Sequence, residues 1–235
     1  MSLGIELLSD ATQLQERESA GRIVSNGMCD IIITNMYVNK PKDPNSKGLS
    51  LNLEFKRAED FANKDANTQT IFSAVIYKKN DGTVNPMGQE LMSKIAKVTG
   101  KSMTDINKTL PTQIKIGQNT ETVDAIVALT GAKITGKFRQ EFGLYNNKVT
   151  DKVRLLTVFR SSDKASAAEI INHEAGKPVE LGKQYAIEAS KEVTPKYNDG
   201  LTAESVAEIR KSGSTGTAEP KANFLDDLSS DDITI

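Results

Sequence analysis

The sequence contains no tryptophan, a single cysteine, Cys29, and a single histidine, His173. One cysteine cannot form an intramolecular disulfide or a zinc cluster, so the composition is typical of a reducing compartment. No run of about 18 apolar residues occurs, and we therefore expect no membrane-spanning segment. The first 16 residues lack the basic and apolar regions of a secretion signal. These absences together predict a cytoplasmic location.

Motifs that would indicate catalysis are also missing. The sequence has neither the Gly-x-x-x-x-Gly-Lys phosphate-binding pattern nor a dinucleotide fingerprint. His173 lies on a predicted short helix, where a surface histidine is commoner than a general base. Cys29 begins an apolar strand and is interpreted as a small hydrophobe rather than a nucleophile. Glu59 and Asp60 have bases on both sides, which is typical of a solvated surface. We therefore expect no enzyme activity, no cofactor and no metal.

Charge is distributed unevenly along the chain. The formal net charge is −1, yet Thr217–Ile235 carries five acids and one base. The remaining residues have a net charge of +3, and within them Thr130–Arg160 holds seven bases against two acids. The near-neutral total therefore conceals a basic segment in the body of the protein and an acidic C-terminal tail.

Five segments have the composition or the alternation of β-strands. They are Met28–Val38, Leu49–Phe55, Thr70–Lys79, Lys133–Phe142 and Lys152–Arg160. The strict alternation in Leu49–Phe55 predicts a half-buried strand. Thr109–Gly117 is also extended, Gln184–Ala189 is a candidate for a last short strand, and Gly143–Asn147 predicts a hairpin loop.

Apolar residues at helical spacing predict an amphipathic helix over 87–99, which ends at Gly100. The other predicted helices are Glu121–Leu129, Ala165–Ala175 and Thr202–Lys211. Short strands with helices between the third and the fourth indicate a mainly β (α+β) fold. A small antiparallel barrel of the OB-fold type is favoured over another β-sandwich. We expect an N-terminal arm over 1–20, the barrel over 21–197, and a linker, short helix and acidic tail over 198–235.

The predicted pair of strands 133–142 and 152–160 is the best candidate for a binding surface. Side-chain alternation places several bases on one face of each strand, which would form a positive stripe attractive to phosphates. Tyr145 and Tyr77, beside further bases, are placed to stack on nucleotide bases. The candidate set is Lys133, Lys137, Arg139, Tyr145, Lys148, Lys152, Arg154, Arg160, Tyr77, Lys78 and Lys79. The alternative is that these bases only keep an exposed sheet face solvated. A second candidate patch consists of Lys40, Lys42 and Lys47 in the loop between two predicted strands.

The C-terminal tail mixes acids with apolar side chains. This pattern suits docking into a basic-rimmed groove on a partner protein. The candidate residues are Phe224, Leu225, Asp226, Asp227, Leu228, Asp231, Asp232, Ile233 and Ile235. A frayed terminus and a tail that competes for the basic stripe are the alternatives.

The tail Asp226–Ile235 follows a Gly/Ser-rich linker, and together with the basic hairpin it resembles bacteriophage and bacterial single-stranded DNA-binding proteins. Leu129–Lys133 leading into Lys137–Glu141 is also similar to phage members of this class. The resemblance covers about half of the chain and implies an OB-fold core, coating of single strands, and a tail that recruits replication proteins. The chain departs from the bacterial pattern because it ends in Ile235 rather than in an aromatic residue after proline, and because it lacks tryptophan.

The sequence therefore predicts a sequence-tolerant single-stranded DNA-binding protein of replication, recombination or repair, in the bacterial host cytoplasm if a phage encodes it. Its expected partners are single-stranded DNA and replication or recombination proteins, and homo-oligomerisation is left open. A structural or assembly protein of a virion and a metal-dependent DNA-processing enzyme are the alternatives. A double-strand binder is also open, although no recognition-helix pattern occurs.

Overall fold

Eight strands carry most of the regular structure in the part of the chain that the computed structural model describes, residues 3–7, 27–39, 41, 43–58, 71–116, 119–146 and 148–212. In chain order they are β1 (Met28–Asn39), β2 (Leu49–Arg57), β3 (Ile71–Lys78), β4 (Leu110–Ile116), β5 (Asn119–Ala125), β6 (Lys133–Tyr145), β7 (Lys148–Arg160) and β8 (Lys196–Tyr197). Over the same residues the helices are α1 (Pro86–Val98), α2 (Met103–Asn107), α3 (Ala167–Glu174), α4 (Lys183–Ser190) and α5 (Ala203–Ser212), and a 3-10 turn spans Val127–Leu129.

Strand β1 is the centre of a mainly antiparallel sheet. It pairs with β2 along one edge, and β6 and β5 share its other edge. The order β3-β2-β1-β5-β4 forms one path, while β6 joins β1 to β7 and to the short parallel strand β8. The backbone N–H of Leu155 on β7 donates to Ser73 Oγ on β3 at 3.1 Å. No backbone ladder joins these two strands over the described residues, so the sheet is not closed into a barrel.

Helix α1 covers the main core. Asn85 caps its first turn by accepting a hydrogen bond from the Met87 backbone N–H at 3.2 Å. Its buried residues Met92 and Ile95 pack in the same cluster as the apolar face of β1 and β2. Burial of side chains of this size contributes about 1.5–3 kcal/mol each. None of the helices in the described ranges is long and apolar enough to cross a membrane.

The five strands predicted from composition and alternation are all confirmed, as are the helices over 87–99, 165–175 and 202–211. The extended segment predicted over 109–117 is confirmed as β4. The prediction that β2 is half-buried is wrong, because Ser50, Asn52 and Glu54 on its polar face are also buried.

Two predicted elements have the wrong type. Residues 121–129 begin in strand β5 rather than in a helix, because β5 pairs with β4 along its whole length, from Leu110 opposite Ala125 to Ile116 opposite Asn119. Residues 184–189 lie in helix α4 rather than in a strand. The arm over 1–20, Lys40, Lys42 and the tail Phe224–Ile235 lie wholly or mostly outside the described residues.

Candidate nucleic-acid interface

A β-bulge divides the β6–β7 hairpin into two parts. Lys137 lies opposite Thr157, whereas the next residue, Phe138, lies opposite Leu155. Leu156 is therefore an extra residue on β7. Side chains alternate between the two faces along a strand. Because β7 has one extra residue, its side chains beyond the bulge lie on the opposite face from the one that uninterrupted alternation would give them.

The bulge decides which bases share a face. Arg154 lies opposite Arg139, so both guanidinium groups lie on the same face of the hairpin. Arg160 lies opposite Ile134, whose side chain belongs to the buried core, and is therefore on the other face. It pairs with Asp163 at 2.5 Å. The prediction that Arg160 continues the basic stripe is wrong.

Beyond the bulge, the hairpin presents a continuous ladder of polar cross-strand pairs. Arg139–Arg154 is followed by Glu141–Lys152, Gly143–Thr150 and Tyr145–Lys148. Strand β8 places Lys196 beside Glu141 in parallel register. We name the resulting surface the basic hairpin face; it consists of Arg139, Lys148, Lys152, Arg154 and Lys196, with Glu141 and Tyr145. At about 3.3 Å per residue, it extends over about 20 Å along the strands.

Glu141 organises the arginines of this face. Its Oε1 accepts hydrogen bonds from Arg139 Nη2 at 2.5 Å and Nε at 3.1 Å, and Arg154 Nη1 lies 3.9 Å away. The carboxylate is buried, while the Arg154 side chain is 49% exposed. The Asp199 carboxylate, which accepts from the Leu144 N–H at 2.9 Å, also lies on this face beside Gly143. The face therefore carries five bases against two acids and is net positive. Fixing an arginine before a ligand arrives lowers the entropy lost on binding.

The far end of the hairpin carries an exposed aromatic side chain on a supported frame. Tyr145 is 46% exposed beside the turn at Asn146, whose φ of 50° suits asparagine. On the opposite face Phe142 stacks on Tyr197 with ring centroids 5.2 Å apart. Val206 of α5 is buried in the same small cluster. Helix α5 therefore packs against the hairpin and supports the basic hairpin face from behind.

Two of the predicted DNA contacts are buried. Tyr77 is 1% exposed, and its hydroxyl donates to the Glu6 carbonyl at 3.2 Å and accepts from the Glu6 N–H at 2.8 Å. The prediction that Tyr77 stacks on a base is therefore wrong. Lys137 is also 1% exposed and forms an ion pair with Glu188 of α4. In this conformation it cannot contact a ligand.

The structure does not bring the remaining candidates to the basic hairpin face. Lys133 is exposed at the opposite end of β6, where it lies opposite Ile32 of β1. Lys78 and Lys79 are half-buried at the end of β3. Lys47, from the loop between β1 and β2, donates its backbone N–H to the Asn80 carbonyl at 3.0 Å.

A buried polar cluster between β1 and β2 was not predicted. Asn35 Nδ2 donates to Glu54 Oε2 at 2.7 Å. Glu54 Oε1 and the Tyr37 hydroxyl are buried, and neither has a hydrogen bond of good geometry within the described residues, although Tyr37 lies close enough to Glu54 and Asn52 for them to affect its pKa. Burial raises the pKa of Glu54, and burial together with the nearby Glu54 charge raises the pKa of Tyr37. The sequence gives no signal for this cluster, because Glu54 stands with Ser50 and Asn52 in the polar set of an alternating strand.

The basic hairpin face offers cations and an exposed aromatic ring as binding groups. Its cations and its exposed phenol can bind phosphates and stack on bases. His173 is exposed on α3, and the described part of the chain contains no group of three or more potential metal ligands. No protein-family model matches the chain, and no curated protein matches it. The interpretation of this face therefore rests on its own residues.

Proposed function

We propose that the protein binds single-stranded DNA without strong sequence preference and acts in DNA replication, recombination or repair. The observation that carries the proposal is the basic hairpin face, where four bases and an exposed tyrosine lie along one side of the β6–β7 ribbon, with Lys196 of β8 beside them. The bases would contact phosphates, and Tyr145 would stack on a base. Stacking of this kind contributes about 1–3 kcal/mol per base and tolerates any sequence.

The proposal includes a core of the OB-fold type. Strands β1 to β3 form a meander, α1 follows β3, and the β6–β7 hairpin returns to β1. The hydrogen bond from Leu155 to Ser73 supports the approach of β7 to β3 that a five-stranded, partly open barrel requires. Strands β4 and β5 would then be an insertion between the helix and the fourth barrel strand.

The acidic tail would act on partners rather than on DNA. Its five acids repel phosphates, and its apolar side chains, among them Phe224 and Ile235, suit a groove on a replication or recombination protein. The cytoplasm is the compartment in which such partners and single-stranded DNA meet. This part of the proposal is supported by the sequence alone.

Fluorescence anisotropy of a labelled poly-dT oligonucleotide, measured with the full chain over a range of salt concentrations, tests the proposal. Five phosphate contacts predict a slope of log affinity against log salt of about −3.5. Replacing Lys148 and Arg154 with glutamine removes two contacts and should reduce the slope to about −2.1.

The matched control replaces Lys115 and Lys177 with glutamine, because both are exposed and neither belongs to the basic hairpin face. It changes the net charge by the same amount and should leave the slope near −3.5. Equal slopes for the two double variants would contradict the assignment of the face. Absence of binding at low salt would exclude DNA binding and favour the assembly alternative. Tighter binding to a duplex of the same length would exclude the preference for single strands.

A further inference from the structure

Helix α4 lies over β6 at Lys137, the base of the predicted stripe that comes directly before Arg139 on the same face, and buries it. Lys137 Nζ pairs with the Glu188 carboxylate and donates to the Glu188 carbonyl oxygen at 3.1 Å. The same carboxylate accepts from Lys191 Nζ at 2.6 Å. Burial alone would raise the pKa of Glu188, but the hydrogen bonds from these two lysines hold it below its usual value. A single anion thus sits between two cations at the edge of the basic hairpin face.

The contacts that hold α4 in place are mostly polar. Glu188 is the buried residue of this helix, whereas Ile187 is 43% exposed. The first turn is held by Glu169, which accepts from the Gly182 N–H at 3.2 Å and from the Gln184 N–H at 2.8 Å. The aromatic contact is Tyr185, whose ring meets Phe159 edge-on at a centroid distance of 5.4 Å. Little apolar area would therefore be exposed if α4 moved away from the sheet.

We propose that α4 is a displaceable cover over a phosphate site, in which Glu188 occupies the place of a DNA phosphate between Lys137 and Lys191. This inference deepens the proposed function and rests on it. When a strand binds along the basic hairpin face, the next phosphate replaces the Glu188 carboxylate and α4 moves off β6. Lys137 then extends the row of phosphate contacts beyond Arg139.

An exchange of anions explains why opening is feasible. Removing one partner from a buried ion pair leaves an uncompensated charge and is strongly unfavourable. A phosphate that arrives as Glu188 leaves keeps Lys137 and Lys191 neutralised throughout. A neutral ligand or a short peptide without phosphates would not open the cover, because it offers no replacement for the carboxylate.

Hydrogen exchange of the unaltered full-length protein, with and without saturating poly-dT oligonucleotide, tests the inference directly. We expect the backbone amides of residues 184–190 to exchange faster in the complex, while those of the β6–β7 hairpin exchange more slowly. If the oligonucleotide binds and the α4 amides are unchanged or slower, the cover is refuted and the proposed function stands. If anisotropy detects no binding, the proposed function itself fails and the cover fails with it.

A matched pair of variants gives a second, independent measurement. Glu188→Gln removes the competing anion, whereas Glu192→Gln removes the same charge from a nearby exposed side chain. The apparent affinity decreases as the fraction of molecules in which α4 covers Lys137 increases. We therefore expect Glu188→Gln to bind poly-dT at least about threefold more tightly than Glu192→Gln. Its salt slope should steepen by about 0.7, because the phosphate at Lys137 no longer releases a carboxylate that takes up a cation in its place.

Adding Lys137→Met to the Glu188→Gln variant should return the slope to that of the unaltered protein. Equal affinities and slopes for the two glutamine variants would overturn the inference. Should Glu188→Gln not fold, the hydrogen-exchange measurement on the unaltered chain decides the question alone.

Discussion

Replacing Glu54 with glutamine should stabilise the protein at neutral and alkaline pH. The Glu54 side chain is buried on β2, and one of its carboxylate oxygens accepts from Asn35, while the other lies near the Tyr37 hydroxyl with no hydrogen bond of good geometry among the described residues. Burial therefore raises the pKa of this carboxyl group. A glutamine at this position keeps an oxygen for Asn35 and supplies an N–H that can donate to the Tyr37 hydroxyl.

The sign of the pH dependence follows from the direction of the pKa shift. In the unfolded chain a glutamate titrates near pH 4.3. Because the folded pKa of Glu54 is higher, the free energy of unfolding falls as the pH rises from the unfolded towards the folded pKa, and stays low above it. Each unit of difference corresponds to about 1.4 kcal/mol, and an unsatisfied buried polar atom costs about 1–3 kcal/mol. We therefore expect Glu54→Gln to be more stable by about 1–3 kcal/mol at pH 8 and nearly equal to the unaltered protein near pH 4.

Urea unfolding followed by far-ultraviolet circular dichroism at pH 4.5, 6 and 8 measures this difference, since the chain has no tryptophan to report by fluorescence. Glu180→Gln is the control, because Glu180 is exposed and the same charge is removed without a change in burial. A Glu54→Gln variant that is less stable at pH 8, or whose advantage is the same at every pH, would refute the reasoning.

Two further predictions concern packing and binding. Gly88→Ala should destabilise the protein by about 1–3 kcal/mol in thermal or urea unfolding, despite the better helix propensity of alanine, because the added Cβ would lie 1.8 Å from the Ile76 carbonyl oxygen. Met87→Ala, at a position that is 54% exposed, is the control and should change stability by less than about 0.5 kcal/mol. Tyr145→Ala should weaken poly-dT binding by about 1–3 kcal/mol without changing the salt slope, as measured by anisotropy. A changed slope would mean that Tyr145 acts through the neighbouring bases.

The strands could be predicted because their signals are local. Alternation in Leu49–Phe55 and β-branched residues in Met28–Val38 specify extended backbone whatever surrounds them. Burial of the polar face of β2 could not be predicted in the same way. It depends on contacts with residues distant in sequence, such as those of β1 and β3, which pair with β2 only in the folded chain.

The two elements of the wrong type show the same limit. Val123, Ile126 and Leu129 fit a helix by their spacing, but pairing with β4 fixes the first part of this segment as a strand. For α4, hydrogen bonds from Gly182 and Gln184 reach the Glu169 carboxylate, 13 and 15 residues earlier in the chain. Helix initiation here depends on a residue that a local window does not contain.

The face of Arg160 depended on the bulge at Leu156, which the alternation of β7 does not reveal. The ring of Phe138 folds over Gly136, where an added Cβ would lie 2.5 Å from it, and stacks on Phe55 with centroids 4.9 Å apart. Only glycine leaves room for that ring. This packing lies directly beside the bulge, whose β6 side falls between Lys137 and Phe138.

Sequence charge located the basic segment but could not separate its exposed bases from its buried one. Lys137 and Arg139 are two residues apart on the same face of β6, yet one pairs with Glu188 beneath α4 and the other with Glu141 at the surface. A glutamate neutralises the cation in both pairs. The two cations differ in what a ligand must displace: it can contact the exposed part of the Arg139 side chain directly, but it must displace helix α4 to reach Lys137. Strand binding and α4 opening are then coupled in the unaltered protein: the phosphate that reaches Lys137 replaces Glu188, which returns to solvent and takes up a cation, so the salt slope stays near about −3.5. In Glu188→Gln no carboxylate is released, so oligonucleotides long enough to reach beyond Arg139 should give a slope of about −4.2, and shorter ones a slope of about −3.5.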